Sequence, residues 1–137
     1  PAVYLFLEQN GKILLARRCH TGYEDGNYHV PSGHVEDGEL PKAAMVREAK
    51  EEIGVTITES DLELVHTCYR LRRDETGNRV DLFFKAARRS GELVNAEPHK
   101  CDDLRWCNRT ELPDNMTPYV RRALQDSERG IIYSEPD

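Results

Sequence analysis

One segment of the chain, Pro41 to Ile53, has the start, the end and the polarity of a single amphipathic helix. Proline is favoured at the first position of a helix, and Gly54 suits the left-handed residue that commonly follows the last one. At about 100° per residue, the apolar side chains fall on one side and the charged side chains on the other. The residues predicted to face the core are Val46, Ala49 and Ile53, with Met45 at the margin.

The opposite face of this helix concentrates negative charge, because it carries Glu48, Glu51 and Glu52. Glutamates three and four positions apart are neighbours on a helix, and they repel each other unless a cation offsets their charge. Hard divalent ions such as Mg²⁺ and Mn²⁺ prefer carboxylate and carbonyl oxygens as ligands. The spacing is therefore compatible with a metal site, and a solvated acidic surface is the alternative.

The turn-rich segment of residues 30–39 leads directly into this helix. Gly33 permits a close approach of the backbone, so that an adjacent carbonyl could point at a metal held by the helix. Gly38 permits the sharp turn that brings Glu39 to the start of the helix, where its carboxylate would suit the N-terminal dipole. We therefore predict a loop that closes onto the acidic face.

The remaining segments predict one mixed α/β domain over residues 1–137. Asn10-Gly11 between two apolar runs is a strong signal for a hairpin. Residues 74–78 are expected to join a later pair of antiparallel strands. The predicted elements are strands over residues 3–7, 12–17, 62–71, 79–87 and 104–107, and a second helix over Pro118–Glu128.

The composition limits the classes of function. The chain has 25 Asp and Glu against 19 Lys and Arg, a formal net charge of −6, which disfavours a grip on long nucleic acid. No apolar run reaches the roughly 18 residues of a membrane span. The four cysteines form no C-x-x-C pair, so we expect free thiols, and without a recognisable secretory signal the expected location is the cytoplasm.

Residues 33–55 read GHVEDGELPKAAMVREAKEEIGV, which resembles the Nudix box, G-x5-E-x7-R-E-U-x-E-E-x-G-U with U a bulky aliphatic residue. The matching positions are Gly33, Glu39, Arg47, Glu48, Glu51, Glu52, Gly54 and Val55. The one departure is Ala49 at a U position, which reduces volume and removes no functional group. The resemblance implies an α/β/α sandwich with a mixed β-sheet between helices, and hydrolysis of a diphosphate linkage.

The resemblance also implies which residues bind the metal. Glu48, Glu51 and Glu52 would bind Mg²⁺, with Mn²⁺ as a substitute. The backbone carbonyl of Ser32 would be a further ligand, although many relatives have glycine there.

Two other box residues would support these ligands. Arg47 would hold the glutamates in position by ion pairing, and Glu39 would support the site from the helix entrance. The base that takes a proton from water is left open between Glu51, Glu52 and Glu97. Glu97 could instead be an additional metal ligand, and plain loop surface is its alternative.

Candidates for contacts with the substrate lie on both sides of the box. Arg17 or Arg18 could clamp a phosphate, with a solvated strand end as the alternative. Tyr28 could stack on a base or simply pack in the core or at the rim, and Gly33 is a further candidate. For three histidines (His29, His34, His99) and three arginines (Arg70, Arg72, Arg73) a structural or surface role is favoured.

The leading functional hypothesis is a MutT-like enzyme that converts a nucleoside triphosphate to the monophosphate and pyrophosphate. The looser resemblance of residues 97–113 to MutT-type enzymes supports this hypothesis. The alternatives are a pyrophosphatase for ADP-ribose or a nucleotide sugar, and a nucleotide-binding module without catalysis. The expected partner is a small nucleotide, and a homodimer is compatible with the sequence.

Overall fold

A computed structural model describes residues 1–71 and 77–136 of the chain. The strands are β1 (Ala2–Gln9), β2 (Lys12–Arg18), β3 (Tyr28–His29), β4 (Ser32–His34), β5 (Glu63–Arg70), β6 (Arg79–Ala86), β7 (Cys101–Asn108) and β8 (Tyr133–Ser134). The helices are α1 (Pro41–Ile53) and α2 (Pro118–Glu128), and a short 3₁₀ turn covers Glu59–Asp61.

Strand β1 is the centre of a mixed sheet. Along one edge it runs parallel to β6, which pairs antiparallel with β5, and β5 in turn runs parallel to β8. Along its other edge, the N-terminal half of β1 pairs with β4 and its C-terminal end pairs with β2. Strand β2 then pairs with β3 and β7. This division of one edge of β1 places β4 next to the chain segment that leads into α1.

Alternate residues of β1 face two separate cores, as the two-residue period of a strand requires. Tyr4 and Phe6 pack on the side of α2, together with Leu124. Leu5 and Leu7 pack on the opposite side. Helix α1 covers that opposite side with Ala44, Met45, Ala49 and Ile53. The predicted α/β/α sandwich with a mixed sheet is confirmed.

Several elements agree with the sequence pattern because their signals are local. Asn10 and Gly11 have φ values of 52° and 77°, as the tight turn between β1 and β2 requires. Both helices have the predicted bounds, and Gly54 ends α1 in the left-handed conformation at φ 75°. The four cysteines are free thiols, as expected.

Other expectations need correction. Residues 32–34 are a strand rather than loop, because they pair with residues 2–4 of β1. Met45 is fully buried, whereas Val46 is only partly buried, so the core-facing stripe of α1 is rotated from the predicted one. Strand β7 is longer than predicted, and β3 and β8 were not predicted.

Some predictions concern residues that the structure does not describe. Arg72, Arg73 and most of the predicted connection at residues 74–78 lie outside the described residues. Within the described ranges, neither helix is long and apolar enough to cross a membrane.

Candidate active site

The acidic face of α1 packs against β4, and Gly33 is the point of closest approach. A Cβ atom at position 33 would lie 2.1 Å from Cδ of Glu48. Real atoms do not approach so closely, so only a glycine allows the Glu48 side chain to lie over this part of β4. The predicted close approach at Gly33 is therefore present in the structure, and its cause is space rather than an unusual φ angle.

Arg47 connects several carboxylates across this interface. Its Nε and Nη2 donate to the two oxygens of Glu39, at 2.9 and 3.0 Å. Its Nη1 donates to Glu48 at 2.8 Å and to Glu51 at 3.3 Å, and Nη2 also donates to the carbonyl of His34 at 3.1 Å. Glu48, Glu51 and Glu52 are called the glutamate cluster below. The planar guanidinium thus fixes two of its three members, Glu48 and Glu51, relative to β4.

Glu39 is held by this network at the start of α1. Besides the fork of Arg47, its carboxylate accepts a hydrogen bond from the backbone N–H of Glu36 at 3.1 Å. The hydrogen bonds from Arg47 and from Glu36 lower the pKa of Glu39 to about 2. Glu39 therefore stays ionised and anchors Arg47 from the start of α1.

Glu52 has a different environment from the other glutamates of the cluster. Its carboxylate accepts a hydrogen bond from the backbone N–H of Ser32 at 2.9 Å, and it makes no ion pair with any residue that the structure describes. Removal from water and the nearby charge of Glu48 raise the pKa of Glu52 well above its usual range. Burial also raises the pKa of Glu48.

These carboxylates fit a divalent cation. Two partly buried carboxylates next to each other are unfavourable without a compensating charge, and all the nearby ligand atoms are the oxygens that Mg²⁺ and Mn²⁺ prefer. Within residues 1–71 and 77–136 no three such side chains already converge on one point. Glu48 and Glu51 instead turn to Arg47, and Glu52 to Ser32.

Glu97 comes close to this cluster because its loop is attached to the end of α1. The backbone N–H groups of Val94 and Ala96 donate to the carbonyls of Ile53 and Glu52, both at 3.0 Å. The charge of Glu97 contributes to the raised pKa values of Glu48 and Glu52. The nearest cationic atom to Glu97 among the described residues is Nζ of Lys100, at 3.9 Å.

A cleft of about 640 Å³ lies over the cluster and joins it to other predicted residues. Arg17 and Arg18 line it. Arg17 pairs with Asp102 at 2.7 Å, and Arg18 donates to the carbonyl of Tyr23 at 2.7 Å. Both guanidiniums are thus held at the wall of the cleft.

Tyr28 does not line this cleft. It is 3% exposed, and its hydroxyl donates to Asp103 at 2.5 Å. The guanidiniums of Arg17 and Arg105 lie 5.6 and 5.2 Å from the centre of its ring. The structure therefore supports packing, rather than stacking on a base, for Tyr28.

The cleft also has a group of aromatic residues, called its aromatic end below, which sequence reasoning missed as a group. Tyr4, Tyr23, His29 and Tyr119 line this end. They come from β1, β3, α2 and a loop, so no spacing in the sequence joins them. The sequence therefore contains no local signal for this group.

Arg70 supports the aromatic end, which corrects the expectation of an ordinary surface charge. Its guanidinium lies 3.6 Å from the centre of the Tyr119 ring and donates to Asp81 at 2.5 Å. Asp81 is fully buried and also accepts a hydrogen bond from the hydroxyl of Tyr4 at 2.9 Å. Arg70 thus fixes two of these tyrosines, Tyr119 by direct contact and Tyr4 through Asp81.

Comparison with known proteins agrees with this geometry. The family model of the NUDIX domain matches residues 1–126. The CTP pyrophosphohydrolase of Escherichia coli (strain K12) is 29% identical over 109 residues, which cover 80% of this chain and 76% of that protein. The NAD-capped RNA hydrolase NudC of Pseudomonas putida (strain W619) is 30% identical over 114 residues, which cover 82% of this chain and 38% of that protein.

A solved structure also resembles the whole fold. The crystal structure of the MutT NUDIX hydrolase from Burkholderia pseudomallei aligns with a TM-score of 0.82 and 27% sequence identity. The alignment covers 90% of this chain and 94% of that one. Because the family model matches nearly the whole length of the chain, the chain belongs to the NUDIX family of hydrolases.

Proposed function

We propose that this protein hydrolyses nucleoside triphosphates to the monophosphate and pyrophosphate, with Mg²⁺ or Mn²⁺ as the required ion. The observation that carries the proposal is the glutamate cluster, held by Arg47 and Gly33 at one end of a cleft large enough for a nucleotide. Small-molecule sites commonly have volumes of about 300–1,000 Å³.

The residues that would hold the ion are Glu48, Glu51 and Glu52, with the Ser32 carbonyl as a further candidate. Glu97 would be an additional ligand only if it is not the base. When bound, such an ion neutralises phosphate oxygens and lowers the pKa of coordinated water. The contribution of the chain is a rigid arrangement, because α1 and β4 are both elements of the sandwich and Arg47 fixes their relative position.

Two further groups would act on the substrate. Arg17 and Arg18 would contact phosphate oxygens, since both line the cleft and guanidinium binds phosphate well. Glu97 would take the proton from the attacking water. It is favoured over Glu51 because Arg47 already engages Glu51 at 3.3 Å, whereas the Lys100 nitrogen is 3.9 Å from Glu97.

A triphosphate is favoured as the substrate by the relative named CTP pyrophosphohydrolase, since its alignment covers 76% of that protein, against 38% of the NAD-capped RNA hydrolase NudC. The net charge of −6 disfavours long nucleic acid, although another relative is named for NAD-capped RNA. Hydrolysis of ADP-ribose or a nucleotide sugar is the second candidate. A single domain over residues 1–137, a cytoplasmic location and a homodimer stay predictions.

The proposal is tested with a panel of the common nucleoside triphosphates, ADP-ribose and a nucleotide sugar, each with Mg²⁺ and with Mn²⁺. For the triphosphates, released orthophosphate is measured with and without added inorganic pyrophosphatase. For ADP-ribose and the nucleotide sugar, whose cleavage releases two phosphomonoesters, the nucleoside monophosphate is measured by chromatography. We expect orthophosphate from triphosphates only when pyrophosphatase is present, and no hydrolysis in excess EDTA. Glu52→Gln should lower kcat by about 10³-fold or more, since it removes a charged ligand.

Glu63→Gln is the matched control, because Glu63 is exposed on β5 and does not line the cleft. It should keep the rate of the wild type. Cleavage of ADP-ribose or the nucleotide sugar alone would establish the second candidate. Binding of nucleotides without any turnover would show a module that has lost catalysis, and an unchanged rate in Glu52→Gln would remove Glu52 from the metal site.

A further inference from the structure

The loop that carries Glu97 is attached to α1 and to the residues that follow it. The N–H groups of Val94 and Ala96 bind the last carbonyls of α1, and the backbones of Ser90 and Thr56 exchange two hydrogen bonds of 2.9 Å. This segment therefore follows the end of the acidic helix. Glu97, which lines the cleft, comes directly after it.

Asn95 belongs to the same segment, but its side chain binds a different part of the fold. Its Nδ2 donates to the carbonyl of Cys101, the first residue of β7, at 2.7 Å. In the register of β2 and β7, Cys101 pairs with Arg18, which lines the cleft. Asn95 thus joins the segment attached to α1 to the strands that carry Arg18.

The side chain of Asn95 also holds the backbone of Glu97. Its Oδ1 accepts a hydrogen bond from the N–H of Glu97 at 3.2 Å. The carbonyl of Glu97 accepts hydrogen bonds from the N–H groups of Lys100 and Cys101, at 2.9 and 3.1 Å. Both backbone polar groups of Glu97 are therefore bound, and while these bonds persist its carboxylate moves only by rotation about the side-chain bonds.

The two hydrogen bonds of Asn95 use both ends of its amide, which accepts through oxygen and donates through nitrogen. Aspartate can accept from Glu97 but cannot donate to Cys101, and leucine can do neither. Asn95 does not line the cleft, so it acts on a reaction there only through a neighbour. Both residues that it binds line the cleft, and Glu97 is the one with a carboxylate.

We propose that Asn95 is a positioning residue, which fixes the main chain of Glu97 relative to α1 and β7 and thereby places the carboxylate that takes the proton from water. This rests on the proposed function, because it takes Glu97 as the base. A base must lie within hydrogen-bonding reach of the proton that it removes, and a displacement of about 1 Å can lower the rate about 100-fold.

Two substitutions separate the two hydrogen bonds. Asn95→Leu removes both at nearly constant volume, whereas Asn95→Asp keeps the acceptor for Glu97 and removes the donor to Cys101. Asn108→Leu is the matched control, because Oδ1 of Asn108 likewise accepts from an N–H two residues ahead, that of Thr110 at 3.1 Å, and Asn108 does not line the cleft. Thermal unfolding confirms that each variant is folded.

Kinetics are measured with the compound that turns over fastest in the substrate panel. We expect kcat to fall about 30- to 100-fold in Asn95→Leu and about tenfold in Asn95→Asp, with KM within about threefold of the wild type. Asn108→Leu should keep both values.

The effect of Asn95 should depend on the carboxylate of Glu97. In the Glu97→Gln background, adding Asn95→Leu should lower kcat by less than about twofold, because a residue that acts only through this carboxylate then has nothing to position. A purely structural role would lower kcat by the same factor in both backgrounds.

Backbone ¹⁵N relaxation measured by NMR gives a readout that needs no activity. The order parameter of the Glu97 amide should be about 0.85 in the wild type and in Asn95→Asp, and it should fall towards about 0.6 in Asn95→Leu. The amides of Val94 and Ala96 should keep their wild-type values, because they are bound to α1 and not to Asn95.

Wild-type kcat in Asn95→Leu would overturn the proposal, and so would an equal fall of kcat with and without the Glu97 carboxylate. An equal loss of order at Val94, Ala96 and Glu97 would also overturn it, because Asn95 would then hold the whole loop.

Failure of the proposed function gives different results. Wild-type turnover in Glu97→Gln would refute Glu97 as the base, and with it the catalytic effect of Asn95, while the order parameters would still decide whether Asn95 fixes the main chain of residue 97. Hydrolysis of ADP-ribose instead of a triphosphate would refute the proposed substrate, and the same comparison of variants with ADP-ribose would still test Asn95.

Discussion

At the scale of single residues, the candidate site depends on two groups with opposite chemistry. Gly33 contributes the absence of a side chain, which lets Glu48 lie against β4. Arg47 contributes a planar cation with several donors, which joins Glu39, Glu48 and Glu51. The first sets how close α1 and β4 approach, and the second sets where the carboxylates lie once they are close.

Replacing Gly33 with alanine tests the close approach. The new methyl group would collide with Glu48, so the carboxylate must move by an ångström or more. We expect kcat to fall by about 10²-fold and the free energy of unfolding to fall by about 1–3 kcal/mol. Steady-state kinetics and denaturant unfolding measure the two effects.

Lys42→Ala is the control for this variant, because Lys42 is an exposed residue of α1. It should behave as the wild type in both measurements. Wild-type turnover in Gly33→Ala would mean that the position of Glu48 over β4 has no part in the reaction.

The pH dependence of stability tests the contact between Glu39 and Arg47. The pKa of Glu39 is lowered from an ordinary 4.5 to about 2, so the ionised form stabilises the fold above about pH 4.5. This stabilisation is lost as the pH falls from 4.5 towards 2. Glu39→Gln lacks it, so the wild type should have the higher Tm at pH 7, and the difference should shrink in that acid range.

Thermal unfolding of both proteins between pH 7 and pH 2.5 measures this difference. A difference in Tm that stays constant over the whole range would show that the ionisation of Glu39 does not contribute to stability.

At the scale of elements, α1 was predictable and its surroundings were not. Pro41, Gly54 and the 3.6-residue period lie within one short segment, so a local pattern fixes the bounds of the helix. Strand β4 depends on pairing with residues 2–4, some thirty positions away, and no pattern within 32–34 reports it. The charge pattern that indicates Glu48, Glu51 and Glu52 is likewise local, whereas the choice between packing and base stacking for Tyr28 depends on partners such as Asp103, which lies 75 positions away.

The end of α1 offers a test with a well-matched pair of glycines. Gly54 and Gly130 have nearly the same φ, 75° and 74°, so alanine is strained to a similar extent at both. A Cβ at position 54 would lie 2.7 Å from a methyl carbon of Val94, whereas nothing lies within 4 Å of one at position 130.

We expect Gly130→Ala to lower the free energy of unfolding by about 1–2 kcal/mol, and Gly54→Ala to lower it by roughly 1 kcal/mol more. Chemical denaturation measures both values. Equal losses in the two variants would show that Val94 yields without cost and that the backbone conformation alone explains the effect.

At the scale of the whole molecule, the sequence predicted the layers better than the cleft. The architecture follows from the order of elements and from apolar patterns, which are read along the chain. The aromatic end of the cleft brings together residues far apart in sequence. The hydroxyls of Tyr4 and Tyr119, 115 positions apart, lie 3.1 Å from each other. Only the folded sheet brings such residues together.

The net charge of −6 can also be assigned in part to one region of the molecule. Part of it lies in the glutamate cluster, whose carboxylates are partly withdrawn from water. The excess of acidic residues is therefore compatible with an anionic substrate once divalent ions are bound. It disfavours long nucleic acid because the net negative charge repels the phosphate backbone.

The attachment of the Glu97 loop to α1 has a consequence for the exchange of backbone amides with solvent. The N–H groups of Val94 and Ala96 are bound to the last carbonyls of the acidic helix. These amides can exchange only when that attachment opens, so their protection reports the same opening as the final turn of α1. The two segments should thus exchange as one cooperative unit. When this unit opens, the carboxylates at positions 52 and 97 would separate, and when it is closed they would stay together.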